Sequence, residues 1–395
     1  MIGTMLYPIP FIRLRSTFVS GVVVALGVSA ACGNVTIDID YSLDTNNFFN
    51  SSTANGIAAR AALAAAADTY GDRLLDTLSA ISPSGVNTWT PTLRHPVTGA
   101  TANAPVTSIA ANTVKLFAAG RAENAGTLAV GGYGGYSGGG TQAWLDTLKG
   151  RGQAGALPAS PTDFARWGGS ISFDNTTNWN YSVSSPPAFA QYDFYSVALH
   201  ELGHFLGFGT AQSFTQTYSS GLTFIGAKSQ ALNGGSPVPL ANTGHLSGSL
   251  FSPRFTGGTG QQPSMSPSIA NGQRKLFTLL DWAGLDDLGW DLARPGDANA
   301  NASVDFDDLL LLAQNYLNGS GKTWSEGDFD YDGSVTFDDL LILAQNYPST
   351  GPLLTDVISA GGEGLAADWT LAKSLVPEPT SVVLFAVLGR RRRSN

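Results

Sequence analysis

The chain has 395 residues, room for two or three folded units, and 43% of them are hydrophobic, enough for a real core. Only 13% are charged and the net charge is -9, so the basic surface that nucleic acid or an anionic membrane requires is missing. Acidic residues are more plausibly partners for cations, and 47 glycines point to an exported, loop-rich protein.

At the N-terminus, Arg13 and Arg15 precede an apolar stretch, 18–28, that ends in Ser29-Ala30-Ala31. This is the pattern of a signal peptide over residues 1–31, too short to span a bilayer as a helix. Cys32, the one cysteine, stands at the expected cleavage point, so the mature chain gains no intramolecular disulfide. Lipidation of Cys32 is the alternative, and Ser29 argues against it by replacing the aliphatic residue expected there.

Residues 35–41 alternate apolar and polar side chains as a half-buried strand does, and the alanine-rich stretch 55–78 carries the 3.6-residue period of a long helix. Residues 88–124 give only weak strand signals. The glycine cluster 131–140 cannot be a packed helix and reads most simply as a flexible loop; no Lys-Ser or Lys-Thr follows that would make it a phosphate cradle. A second alternating strand covers 170–174. A helix over 192–206 follows with Asp193 as its N-cap, and a closing helix is expected from Arg274 to about Leu288. Together these elements predict an α+β catalytic domain over 32–293.

The most informative run is His200-Glu201-Leu202-Gly203-His204. On a helix it sets two histidines one turn apart on one face with a carboxylate beside them, the arrangement of a zinc ion with a base next to its water. Hydrolytic zinc takes three protein ligands and leaves a fourth position for water, so a third ligand is needed; outside the motif the chain offers only His95 and His245. His95 sits in a polar stretch and is expected to be exposed.

The motif resembles that of the metzincin peptidases, with Gly207 where the chain turns away from the helix. In their common short pattern the third ligand would fall at Thr210, and a hydroxyl is a poor zinc ligand. The leishmanolysin-like branch, with a long insertion before its third histidine, is more similar. This resemblance implies His245 as third ligand, Met265 in Gln262-Pro263-Ser264-Met265 as the Met-turn beneath the zinc, and a twisted mixed sheet with a long helix and an active-site helix. It also implies zinc-dependent endopeptidase activity on a protein or peptide substrate, with Glu201 as general base.

Beyond Pro295 the sequence repeats: the run 304–316 recurs 31 residues later as 335–347, and each copy begins in an oxygen-rich loop. In the first, Asp297, Asn299, Asn301, Ser303, Asp305 and Asp308 take calcium-loop positions 1, 3, 5, 7, 9 and 12; in the second, Asp328, Asp330, Asp332, Ser334, Thr336 and Asp339 do so. Gly333 holds the sharp turn of the second loop, whereas Ala302 replaces it in the first and should strain that turn. Both loops are expected to bind calcium, the first more weakly.

The paired loop-helix units resemble a type I dockerin, a small all-α module of EF-hand type, here over 294–349. The resemblance implies a cohesin-like partner, but the contact positions hold Phe306-Asp307 and Phe337-Asp338 instead of Ser-Thr, which leaves open a calcium-stabilised spacer or intramolecular docking on the catalytic domain. A linker is expected over 350–375. Val376-Pro377-Glu378-Pro379, an apolar stretch and Arg390 to Arg393 then resemble a PEP-CTERM sorting tail, 376–395, which implies an exosortase-type enzyme as partner. That address implies secretion to the surface or matrix of a bacterium with an outer membrane. The competing reading is a non-catalytic, calcium-dependent adhesion or matrix protein on a peptidase-like scaffold.

Overall fold

The computed structural model describes residues 35–376, Gln216 and Ser220 excepted. The expected signal peptide, Cys32 and nearly all of the sorting tail lie outside the described residues.

Strand β1 (Thr36–Asp40) pairs in parallel with β4 (Thr113–Arg121), which pairs in parallel with β7 (Gly168–Asp174). Strand β5 (Ala129–Tyr133) closes the sheet antiparallel to β7, giving the order β1-β4-β7-β5. A smaller sheet, β3-β2-β6, joins β2 (Thr88–Arg94), β3 (Thr101–Asn103) and β6 (Gly135–Gly139). The stretch 88–124 is therefore mostly strand. The glycine cluster, expected to be a flexible loop, instead forms the end of β5 and all of β6; at Gly131, Gly134 and Gly138 neighbouring atoms leave no room for a Cβ.

Helix α1 (Ala54–Gly71) is capped by Thr53 and ends earlier than the alanine pattern suggested, then α2 (Gln142–Gly150) precedes β7. Helix α1 packs on α3 (Phe194–Phe205), the helix of the histidine motif, where Thr69 Oγ1 lies 2.8 Å from the Tyr195 hydroxyl and the Tyr70 hydroxyl donates to Leu199 O at 2.6 Å. Asp193 caps α3, and Arg274 grips the same carboxylate through two nitrogens at 2.9 Å. The closing helix starts later than expected, at Leu279–Asp286, because Thr278 and Asp281 form a capping box that fixes its first turn. Residues 274–278 are not helical.

Residues 293 onward build a second core around Leu309, Leu312, Leu340 and Leu343. The loop-helix repeats end in helices Phe306–Asn315 and Phe337–Asn346. The stretch expected to be a linker is largely a helix, Leu354–Leu375, kinked at Gly362, whose Leu365 and Trp369 are buried in this core. Tyr331 joins the two cores, stacking on Trp282 from one and Trp324 from the other.

Candidate metal centre

Helix α3 presents His200 and His204, and a hairpin supplies the third histidine. In it Val238–Asn242 pairs antiparallel with His245–Leu246. The Leu246 N–H donates to Met265 O at 2.9 Å, tying the hairpin to the loop under the site.

The three Nε2 atoms converge: His204 Nε2 lies 3.1 Å from His200 Nε2 and 3.1 Å from His245 Nε2. Each opposite nitrogen has an acceptor. His200 Nδ1 is 2.7 Å from Ser264 O, His204 Nδ1 is 2.8 Å from Phe208 O, and His245 Nδ1 is 2.8 Å from Asn242 Oδ1. A carbonyl oxygen can only accept, so Nδ1 carries the proton in each neutral ring and three bare lone pairs face one another. That is unfavourable unless a cation sits between them. Ligands ~2.0–2.1 Å from a tetrahedral zinc stand about 3.3 Å apart, so the cluster fits zinc with little adjustment. Burial, with the charge of His204 adding, holds the His200 imidazole well below its usual range. Burial likewise lowers His204, and it takes His245 down to about 4. All three rings are therefore neutral, as metal ligands must be.

Glu201 is buried beside them, and its Oε2 accepts the N–H of Gly131 from β5 at 2.5 Å. Burial pushes this carboxyl up to about 8, against the pull of the Gly131 hydrogen bond. A metal cation next to it would act in the opposite direction.

Met265 is fully buried, and a Cβ added to Gly203 in α3 would lie 2.5 Å from its Sδ. The methionine thus packs directly on the motif helix. Asp281 fixes this loop by accepting the N–H groups of Ser264 and Met265, each at 2.9 Å. Gly207 turns the chain out of α3 with φ 101°. Thr210 is exposed and takes no part in the cluster.

Residues 141–219 match the sequence model of the matrixins, a peptidase family. The match supports a zinc metallopeptidase of metzincin type. It ends before His245 and Met265, so the third ligand and the methionine rest on the geometry. No curated protein and no solved structure matches the chain.

A cavity of about 460 Å³ opens beside His200, Glu201 and His245, bounded by Tyr192, Ser196, Ser264, Ser266, Ile269 and Lys275 among others. Sequence reasoning missed Asn242, Gly131 and Lys275. Asn242 precedes His245 by only three residues, and that spacing was the one available signal. His95, expected to be exposed, is half-buried, and its Nδ1 accepts the Val97 N–H at 3.2 Å as a turn cap.

In the acidic loops, Asp297 accepts the N–H groups of Asn301 and Ala302, and Asp328 accepts those of Asp332 and Gly333 in the same places. Carboxylate oxygens of Asp328, Asp330 and Asp332 lie within 4.8 Å of one another and could hold a cation. Ala302 has φ 69° where Gly333 has 85°, the left-handed turn that alanine adopts only under strain. Phe306 and Phe337, at the positions where a dockerin meets a cohesin, pack against the second core.

Proposed function

We propose that the chain is an exported zinc endopeptidase in which His200, His204 and His245 hold the metal in a leishmanolysin-like arrangement. The convergence of three unprotonated Nε2 atoms is the observation that carries this reading. When bound, zinc supplies Lewis acidity to the scissile carbonyl and makes water a nucleophile near neutral pH. Glu201 is the general base: its carboxylate takes a proton from the attacking water and passes it to the leaving amine. The nearby cavity holds the peptide, and Met265 closes the floor under the ligands.

The repeats form a dockerin-like calcium module, with Asp297, Asn299, Asn301, Ser303, Asp305 and Asp308 around one ion and Asp328, Asp330, Asp332, Ser334, Thr336 and Asp339 around the other. Its position-10 phenylalanines pack on the module's own core, which counts against a cohesin, and Tyr331, reaching Thr69 and Trp282, favours a module that docks on its own peptidase domain. The sorting tail would direct the protein to an exosortase-type enzyme and the surface of a bacterium with an outer membrane.

The deciding experiment is casein or gelatin hydrolysis by the full chain with and without a zinc chelator, alongside metal analysis of Glu201→Ala. The expected result is chelator-sensitive hydrolysis, and a variant that keeps zinc but cuts nothing. Undiminished hydrolysis by Glu201→Ala would refute the general-base role, and a wild type that cuts nothing with zinc bound would favour the non-catalytic reading instead.

A further inference from the structure

The cavity beside the histidines carries charges of both signs, but their hydrogen-bonding capacity is unequally committed. Its lining includes Glu123 and Asp174. Glu123 is gripped by Arg121 through Nε at 2.6 Å and Nη2 at 2.8 Å, and also accepts from Ser172 Oγ at 2.5 Å. Asp174 accepts from the Glu123 N–H, from Thr176 and from Thr177. Both carboxylates are occupied by groups of the protein.

Lys275 also lines the cavity, only 3% exposed, in the non-helical stretch before the closing helix. Its ammonium donates to Ser268 O at 2.8 Å and to Ser266 Oγ. That uses two of its three N–H donors, and none of the ion pairs among the described residues involves it. The nearby Ser264 hydroxyl, also buried and also lining the cavity, has no hydrogen-bond partner. A buried cation with a free donor and no carboxylate in contact is costly, and an incoming anion relieves that cost. Burial lowers the lysine, with Asp281 opposing the shift.

We propose that this cavity selects peptides bearing an aspartate or glutamate next to the scissile bond, the side-chain carboxylate docking on Lys275 with Ser264 and Ser266 around it. This rests on the peptidase reading above, since it is the zinc site that places a scissile bond at the cavity mouth. Lys275 is thus a specificity residue: it meets the substrate side chain. A glutamine of the same shape makes the weaker neutral hydrogen bond, and a lysine is repelled.

The experiment uses the zinc-loaded full chain and quenched-fluorescence peptides of one sequence with Glu, Gln, Leu or Lys at either position flanking the cleaved bond. At one position, kcat/KM for Glu should exceed that for Gln by about tenfold or more, the scale of one hydrogen bond to a charged group. The Glu-to-Gln ratio should collapse in Lys275→Met, recover in Lys275→Arg and fall partway in Ser266→Ala, which guards against a Lys275→Met chain that does not fold. A preference for Lys, or a ratio indifferent to these substitutions, would overturn the proposal. Calorimetric binding of the Glu and Gln peptides to the zinc-loaded Glu201→Gln variant separates the two readings. If wild type cleaves nothing yet the Glu peptide binds in a Lys275-dependent way, the peptidase reading fails and the cavity assignment stands. Equal binding of the two peptides sinks the assignment itself.

Discussion

Gly131 donates its backbone N–H to Glu201 Oε2 at 2.5 Å, so the glycine-rich strand β5 fixes the carboxylate that stands beside the three histidines. A Cβ on Gly131 would lie 2.6 Å from Glu201 O, closer than such atoms approach, and only 3.0 Å from Oε2. Gly131→Ala should therefore keep its zinc and displace Glu201, with peptidase activity down about a hundredfold, the scale of an ångström-level misplacement. Steady-state kinetics together with metal content checks this, and full activity in Gly131→Ala would show that β5 does not set the carboxylate.

The Asn242 side chain orients the third histidine, because its Oδ1 accepts both His245 Nδ1–H at 2.8 Å and the Gly244 N–H at 2.9 Å. Removing a group that orients a ligand lowers metal affinity by about 10- to 100-fold. Asn242→Ala should show that loss in a competition titration with a chelating dye, and His245→Ala a larger one. Equal zinc affinity of wild type and His245→Ala would remove His245 from the site.

The motif helix, its Asp193 cap and the paired acidic loops were legible because each has a local signature: an i, i+4 histidine pair, a capping residue, a fixed ligand spacing. The distant third histidine was narrowed to His95 or His245 by elimination, and the family resemblance chose His245, since nothing local marks it. Strand β4 gave little signal because both its faces are covered, and Ala118, Ala119 and Gly120 show no alternation. Strand β5 was misread because glycine ordinarily weakens a strand; here the approach of Glu201 requires it. The helix Leu354–Leu375 was hidden by Gly361 and Gly362, yet Leu365 and Trp369 find a core to bury against that no local pattern announces. The closing helix was placed five residues early by leucine periodicity, although Thr278 and Asp281 spell its true start.

The acidic loops give a pH prediction whose sign follows from proton counting. Without a cation, burial and then the charges of Asp339 and Asp330 push Asp328 up to about 8, and burial takes Asp339 to about 7. Both values exceed the ordinary 3.8, so across that window the cation-free folded state holds more protons than the unfolded chain. Stability in chelator should then fall as pH rises from about 5 to 8. Calcium, which replaces those protons, should raise the melting temperature most at the upper end. Calorimetry with EDTA or calcium at three pH values tests this, with Asp328→Asn expected to flatten the chelator slope. A melting temperature indifferent to calcium at every pH would rule out the loops as calcium sites.

Tyr331 sits at the fourth position of the second loop with φ 59° and joins that loop to the peptidase core. Its ring stacks between Trp282 and Trp324, with centroids 6.4 and 5.5 Å away, and its hydroxyl donates to Thr69 O at 3.1 Å. Beside it, Arg254 donates to Asp330 O at 2.9 Å, and the Arg73 guanidinium lies over both tryptophans at 4.1 and 4.7 Å. Trp282 adjoins Asp281, which holds the loop whose Ser264 carbonyl accepts from His200. The loop therefore reaches the histidine cluster through a continuous set of contacts. Truncating a large, well-packed aromatic costs about 3–5 kcal/mol when fully buried, and Tyr331 is half-buried, so Tyr331→Ala should lose somewhat less. Two cores joined in this way should unfold together, in one calorimetric transition, whereas Tyr331→Ala should split it, the second core melting first. A single unshifted transition in the variant would show that the two cores are coupled by other contacts.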